Sequence, residues 1–141
     1  MSARRFVDTN VLVYLFDADA PAKRERAREL LATDGVEGRL VISTQVLQEL
    51  FVTLTRKLAV PLAPDRALAV LDSLEELPVT TIDRPLVRAA AELSVRHRIS
   101  LWDALIVEAA KAGGCGVLLS EDLQHGWEVG TLRVENPFRE L

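Results

Sequence analysis

The stretch FVDTNVL, residues 6–12, is an apolar pair followed by three turn-forming polar residues and a second apolar run. The apolar pair predicts the end of a short strand. Asp8, Thr9 and Asn10 are residue types that end strands and cap helices. A short helix is predicted over residues 11–16, so the stretch predicts a strand, a turn and a helix in succession.

Outward from this stretch, the chain keeps alternating between strands and helices. Further short strands are predicted at residues 40–42, 79–82 and 116–119, and within 127–134. Helices are predicted at residues 22–33, 45–58, 64–77, 84–98 and 101–112. This alternation is typical of an α/β fold, a parallel sheet covered by helices on both faces. The length predicts one domain.

Composition limits the class of protein. The chain has 141 residues, 49% hydrophobic and 27% charged, so it is long and apolar enough to fold around a core. Its net charge of −4 excludes a protein that coats nucleic acid through a basic surface, but is compatible with an acidic pocket that holds cations. The single cysteine, Cys115, excludes an internal disulfide, and the longest apolar run, residues 11–16, is too short for a membrane span. We therefore expect a cytoplasmic protein with no membrane partner.

Acidic residues lie near the carboxyl ends of the predicted strands, where parallel sheets bind ligands. Asp8 follows the first strand directly, and Glu121 and Asp122 follow the fourth. Glu49 lies in the second turn of the helix after the second strand, and Asp103 lies in the first turn of its own helix. These side chains are far apart in sequence but are predicted to converge in space.

Each acid also has a purely structural explanation. Asp8 could cap a helix, Glu49 could be a solvated helix residue, and Asp122 could begin a turn. Asp103 fits a capping arrangement with Ser100, three residues before it. Convergence in space is what would distinguish a functional site from these local roles.

A converged group of carboxylates requires compensation, because two unit charges about 4 Å apart repel by roughly 4 kcal/mol at an effective dielectric near 20. Protonation, basic partners or a divalent cation would supply it, and the nearest basic residues in sequence are Arg4 and Arg5. Oxygen ligands without His or Cys select a hard cation, Mg²⁺ or Mn²⁺. Such sites activate water for attack on a phosphodiester.

Four segments together resemble the motifs of the PIN domain, in that family's order. They are FVDTNVL at residues 6–12, ISTQVLQEL at 42–50, LWDALIV at 101–107 and LSEDLQ at 119–124. The small size resembles the ribonuclease toxins of VapBC-type toxin–antitoxin pairs. The resemblance implies a three-layer α/β/α sandwich with a central, mainly parallel sheet, and a single PIN-like nuclease domain over residues 1–141.

The resemblance also implies an activity: a Mg²⁺-dependent endoribonuclease that hydrolyses RNA phosphodiester bonds, with Mn²⁺ as an alternative ion. It implies a small antitoxin protein as partner, and a homodimer or a toxin–antitoxin hetero-oligomer. The catalytic acids carried over to this sequence are Asp8, Glu49, Asp103 and Asp122. Of these, Asp8, Asp103 and Asp122 are the expected metal ligands, and Glu49 is expected to bind or orient a water on the metal.

Three further polar residues are implied to orient this cluster and the substrate: Thr9, Asn10 and Ser120. Glu121 is a possible alternate acid, because it adjoins Asp122 in the sequence. We choose Asp122 for the fourth acid, because the family pattern places an aspartate there.

Other functions are compatible with parts of the sequence. A PIN-like module that binds nucleic acid or a partner without turnover, or a nuclease directed at DNA, would carry the same motifs. A haloacid-dehalogenase-like phosphatase requires a second aspartate where this chain has Asn10, and a lysine between Val117 and Leu141, where it has none. A serine hydrolase requires a Gly-x-Ser-x-Gly turn, which the sequence lacks.

Contacts to RNA require local positive charge, since the net charge is negative. Basic residues on helices are usually solvated, so none is assigned individually. The candidates are Arg4, Arg5, Lys23, Arg24, Arg26, Arg28, Arg56, Lys57, Arg96 and Arg98. Trp102 and Trp127 are able to stack on bases, but the apolar residues 104–107 predict that Trp102 belongs to the core.

Overall fold

The computed structural model describes residues 3–141 and has a six-stranded sheet at its centre. The strands are β1 (Arg4–Val7), β2 (Leu40–Ser43), β3 (Val79–Thr80), β4 (Cys115–Leu119), β5 (Glu128–Val129) and β6 (Leu132–Glu135). Their order across the sheet is β3-β2-β1-β4-β6-β5. Neighbouring strands are parallel except β5 and β6, which are antiparallel.

The central strand β1 lies between β2 and β4 and is enclosed by apolar residues. Phe6 of β1 pairs with Val41 of β2 and with Leu118 of β4, and all three are at most 1% exposed. Strands of a parallel sheet are apolar runs because helices cover the sheet. The structure thus confirms the predicted α/β fold with a mainly parallel sheet flanked by helices.

Six α-helices follow from the predicted patterns: α1 (Thr9–Val13), α2 (Pro21–Leu30), α3 (Thr44–Val52), α4 (Pro64–Ser73), α5 (Arg84–His97) and α6 (Leu101–Ala112). A 3₁₀ turn at Tyr14–Phe16 follows α1, and π-helical turns at Leu31–Gly35 and Thr53–Lys57 extend α2 and α3. The predicted caps Asp83 and Ser100 accept backbone N–H groups at the starts of α5 and α6. Over residues 3–141, no helix is both long and apolar enough to cross a membrane.

Several predicted boundaries differ from the structure. Helix α1 begins two residues earlier than predicted, because the Asp8 carboxylate caps it. The helix predicted over residues 64–77 ends at Ser73. The single strand predicted within residues 127–134 is a hairpin of two strands, with Gly130 at φ 61° in its turn. This turn requires the left-handed conformation that glycine adopts without strain, and the reversal places β6 beside β4.

The carboxyl ends of β1, β2 and β4 lie at one edge of the sheet, because these strands are parallel neighbours. Helix α1 begins two residues after β1 ends, and α3 begins directly after β2, so both start at this edge. Helix α6 packs against β2 and β4. The fold therefore brings the residues after three strands and the starts of their helices to one place.

Candidate active site

A cavity of about 630 Å³ opens at this edge of the sheet. It is lined by all four acids of the predicted cluster, namely Asp8, Glu49, Asp103 and Asp122. The folded chain therefore brings together carboxylates that come from the ends of two strands and from two helices. Their convergence is the feature that the structural explanation of each acid taken singly does not require.

Asp8 is the most buried of the four acids, at 7% exposure. Its carboxylate accepts hydrogen bonds from the backbone N–H of Thr9 (2.8 Å), the hydroxyl of Ser120 (2.9 Å) and Nδ2 of Asn10 (3.1 Å). These three donors are neutral, and within residues 3–141 no basic side chain forms an ion pair with Asp8. The buried charge is thus stabilised by dipoles but not balanced by a cation.

The surroundings of Asp8 change its acidity. Burial raises the pKa of Asp8 from 3.8 to about 6, and the nearby charges of Glu49 and Asp122 act in the same direction. The hydrogen bonds from Ser120 and Thr9 oppose the rise without cancelling it. A carboxyl in this state gains from any cation that enters the cavity, because the cation stabilises its ionised form.

Asn10 and Ser120 connect the end of β1 to the loop after β4. Nδ2 of Asn10 donates to Asp122 at 3.2 Å as well as to Asp8, and its Oδ1 accepts the backbone N–H of Glu121 at 3.0 Å. The fully buried Ser120 accepts the backbone N–H of Asp122 at 3.2 Å while it donates to Asp8. These bonds hold the Asp122 carboxylate beside that of Asp8.

Glu49 is held by two polar neighbours. The hydroxyl of Thr9 donates to its Oε1 at 2.8 Å, and Nε2 of Gln45 donates to its Oε2 at 3.3 Å. Gln45 is 5% exposed and also donates to the backbone oxygen of Trp102 at 3.1 Å. Gln45 was not among the site residues predicted from the sequence, although its position four residues before Glu49 places both on one helix face.

The backbone and the side chain of Asp103 have different roles. Its N–H donates to the hydroxyl of Ser100 at 3.0 Å, so Ser100 caps α6 as predicted. A full capping box would also bond the Asp103 carboxylate to the start of the helix. Among the described residues that carboxylate makes no hydrogen bond or ion pair, and the residue lines the cavity. Helix capping therefore explains the hydrogen bond of the Asp103 backbone but not the presence of a carboxylate at this position.

Glu121 and Asp122 are adjacent in sequence but have different surroundings. Lys23 and the hydroxyl of Tyr14 both donate to the Glu121 carboxylate at 2.6 Å. Partial burial would raise the pKa of Glu121, but the bonds from Lys23 and Tyr14 and the Lys23 charge together lower it. The exposed Asp122 is instead bonded to Asn10. The sequence pointed to Arg4 and Arg5 as the nearest bases, but folding brings Lys23 to this loop.

Trp102 contradicts its predicted place in the core. The residue is 63% exposed and lines the cavity, one position before Asp103. Helix α6 buries Ala104, Leu105, Ile106 and Val107, as the apolar run predicted. Trp102 lies in the first turn, ahead of that run, so its indole remains at the surface.

The cavity wall offers ligands that match a hard divalent cation, because carboxylate oxygens line it and, among residues 3–141, no His or Cys side chain does. Within the described ranges, no group of three or more His, Cys, Asp or Glu side chains is arranged to hold an ion by itself. Mg²⁺ ordinarily keeps several of its waters, so an ion held partly through water fits this arrangement. Oε1 of Gln45 is a buried acceptor that has no hydrogen-bond partner in the described part of the chain.

Comparison with known proteins gives a consistent family and fold. The sequence model of the PIN domain matches residues 5–125. VapBC from Salmonella typhimurium, bound to DNA, has a TM-score of 0.68 and 22% identity, over 96% of this chain and 99% of that one. No curated protein matches the chain in sequence.

Two further solved structures are similar. VapC20 of Mycobacterium tuberculosis, a toxin that cleaves the sarcin–ricin loop, has a TM-score of 0.66 and 23% identity, over 84% of this chain and 89% of that one. A toxin–antitoxin complex from Klebsiella pneumoniae has a TM-score of 0.69 and 19% identity, over 97% and 98%. At these identities the likeness establishes the fold.

Proposed function

The chain belongs to the PIN-domain family, and from that premise we propose that it is a Mg²⁺-dependent endoribonuclease that hydrolyses RNA phosphodiester bonds. Membership of this family supports a hydrolase that acts on nucleic acids. It also supports the use of a divalent metal ion, because PIN nucleases generally use such ions. The observation that carries the finer proposal is that Asp8, which has no basic partner among residues 3–141, lines one cavity together with Glu49, Asp103 and Asp122. A cation with a bound phosphate is the ligand that such a cavity favours.

In this proposal Asp8, Asp103 and Asp122 are the metal ligands, and Glu49 orients the attacking water. When bound, the ion lowers the pKa of water and balances the charge of the scissile phosphate. Each oxygen of Glu49 accepts a hydrogen bond, one from Thr9 and one from Gln45. Because both oxygens are held, the carboxylate keeps one orientation toward the cavity, which favours a positioning role.

Asn10 and Ser120 act as orienting residues in this proposal, since both bond to Asp8 and fix the loop that carries Asp122. We assign the fourth acid to Asp122 rather than Glu121. The Glu121 charge is already balanced by Lys23, whereas Asp122 shares the amide of Asn10 with Asp8. An acid that lacks a basic partner is the better ligand for an added cation.

We further propose that the protein is the toxin of a type II toxin–antitoxin module. Solved relatives of the same fold include VapBC and another toxin–antitoxin complex. The proposed partner is a small antitoxin, and the proposed assembly is a homodimer or a toxin–antitoxin hetero-oligomer. We take residues 1–141 as one nuclease domain and the cytoplasm as its compartment, because the proposed RNA substrate is there.

The test is cleavage of total tRNA and rRNA by purified, antitoxin-free protein in Mg²⁺, in Mn²⁺ and in EDTA. Two matched variants accompany it: Asp8→Asn in the cavity, and Asp34→Asn at an equally buried aspartate outside it. We expect cuts that require the metal, vanish in Asp8→Asn and persist in Asp34→Asn. A thermal shift with Mg²⁺ should follow the same pattern, because a ligand of the folded state raises its stability.

Other outcomes separate the remaining functions. Cleavage of DNA but not RNA would indicate a DNA-directed nuclease. A Mg²⁺ thermal shift that depends on Asp8, without cleavage of either polymer, would indicate a binding module without turnover. Cleavage that continues unchanged in Asp8→Asn would contradict the proposed site.

A further inference from the structure

The cavity has two features that the acidic cluster does not use. One is the exposed indole of Trp102, and the other is the side chain of Lys57. We propose that these two residues form a nucleotide-binding subsite beside the acidic cluster, in which the indole stacks on an unpaired base and the ammonium contacts a phosphate of the same strand. This inference rests on the proposed nuclease function, because it names a substrate contact of that site.

Trp102 combines an exposed indole with a backbone that is bonded to the acidic cluster, as a stacking platform requires. It is 63% exposed, whereas the other tryptophan, Trp127, is half-buried against His97 with ring centroids 5.5 Å apart. The backbone oxygen of Trp102 accepts a hydrogen bond from Gln45, which also bonds to Glu49. One buried amide therefore links the exposed aromatic residue to the acidic cluster.

Lys57 is distinguished by its lack of a partner. Six acids line the cavity, and within residues 3–141 Lys57 is the one basic residue that lines it. Lys23, close by, is neutralised by Glu121 at 2.6 Å, but Lys57 forms no ion pair among the described residues. The carboxylates of the cavity repel the phosphates of a nucleic acid. The unpaired ammonium of Lys57 attracts them, so a backbone phosphate is favoured beside it.

The chemistry of the pair favours a single-stranded ligand. A base offers its face to an aromatic side chain only when it is unstacked from its neighbours, as in loops and single strands. Stacking is tolerant of sequence because every base has a flat π face. The subsite therefore predicts a preference for unpaired nucleotides next to the cut rather than a preference for one base.

The test uses fluorescence in a Trp127→Phe chain, where Trp102 is the one remaining tryptophan of the two in the sequence. It is titrated in Mg²⁺ with a short unpaired oligoribonucleotide, the same strand in a duplex, and the matching DNA strand, with integrity checked on a gel. We expect quenching that saturates with the unpaired strands and is much weaker with the duplex. Equal quenching by RNA and DNA would show that the subsite does not distinguish ribose from deoxyribose.

Substitutions separate the two contacts. Trp102→Leu should weaken binding by about five- to hundredfold and raise KM with little change in kcat, whereas Trp102→Phe should retain most of the affinity. Lys57→Gln should reduce the slope of log affinity against log salt by about 0.7, the effect of one lost phosphate contact. Arg66→Gln, at an exposed arginine that does not line the cavity, is the control and should leave both quantities unchanged.

Three outcomes would overturn the subsite. If Trp102→Leu binds and cleaves RNA as the wild type does, while Asp8→Asn does not cleave, the subsite is wrong and the nuclease proposal stands. If the wild type neither binds nor cleaves any strand, both proposals fail. If Trp102→Leu keeps RNA binding but no longer binds a co-expressed antitoxin, the indole belongs to a protein interface instead.

Discussion

Asp8 and Asp34 are aspartates with the same exposure, 7%, but opposite electrostatic surroundings. Asp34 accepts hydrogen bonds from Arg5 at 2.6 Å and from Arg39 at 2.7 Å. Burial opposes ionisation of Asp34, but the bonds and charges of Arg39 and Arg5 outweigh it and lower its pKa. Asp8 has neutral donors alone, and its pKa rises to about 6.

The difference separates a structural acid from one that we propose to be functional. The chain itself balances the charge of Asp34, so that residue ties Arg5 of β1 to the turn before β2. The charge of Asp8 is left for something outside the chain to balance. Burial alone therefore does not identify a functional carboxylate. Burial combined with the lack of a basic partner is a better indicator.

The largest expected difference between the two aspartates is in cleavage. Asp8→Asn should lower kcat/KM by more than about a hundredfold, because losing a metal ligand costs at least as much as losing one of its supporting contacts. Asp34→Asn should leave cleavage within about threefold of wild type once both variants are shown to be folded. Equal losses in both variants would remove the functional distinction between the two aspartates.

A second effect is on the pH dependence of stability in EDTA. The pKa of Asp8 is about 6 in the folded chain and 3.8 ordinarily, so the folded chain binds this proton more tightly. Its contribution to folding is complete below about pH 4 and falls by about 3 kcal/mol as pH rises through about 6. Urea unfolding of wild type and Asp8→Asn from about pH 4 to about pH 7 measures it. A constant difference between the two would contradict the raised pKa.

Asp34 should show the opposite sign. Its pKa is lowered in the folded chain, so its stabilising contribution is present above its ordinary pKa and is lost as pH falls below it. Asp34→Asn should lower the free energy of unfolding at neutral pH by about 2 kcal/mol, because Arg5 and Arg39 each lose one charged hydrogen-bond partner. Chemical denaturation is the measurement. A variant as stable as wild type would mean that the two ion pairs contribute nothing to folding.

The smallest expected effect concerns the neighbouring acids after β4. Glu121→Gln should keep cleavage within about threefold, since this partly exposed pair with Lys23 is worth at most about 1 kcal/mol. Asp122→Asn should reduce cleavage by about tenfold or more. Side-by-side kinetics at saturating Mg²⁺ decide the assignment. The reverse order of effects would assign the fourth acid to Glu121.

Much of the fold could be predicted from the sequence, because its signals are local. Three features differ in how well they could be predicted: the cap at Ser100, the end of α4 at Ser73 and the additional strand of the β5–β6 hairpin. The cap has a direct sequence signal and was predicted. The helix end differs by four residues from its predicted position at residue 77, and the hairpin depends on a turn at Gly130 that apolar patterning does not reveal.

Sequence reasoning reached less of the cavity. The four predicted catalytic acids are among the six acids that line the cavity, and they were predicted because each follows a strand or lies in the first two turns of a helix at the same edge of the sheet. Gln45 was not predicted, and Trp102 was placed in the core. Both errors have the same cause: hydrophobic periodicity describes the face of one helix, whereas exposure depends on what packs against that face.

Local sequence patterns were enough to predict the alternation of strands and helices, the caps of α5 and α6, and the edge of the sheet near which the acids lie. Which of these acids has a basic partner depends on the folded chain. Lys23 reaches Glu121 across 98 residues of chain, and Ser120 reaches Asp8 across 112. Secondary structure follows from interactions within a few residues, but the balance of a buried charge depends on groups that meet only when distant segments pack together.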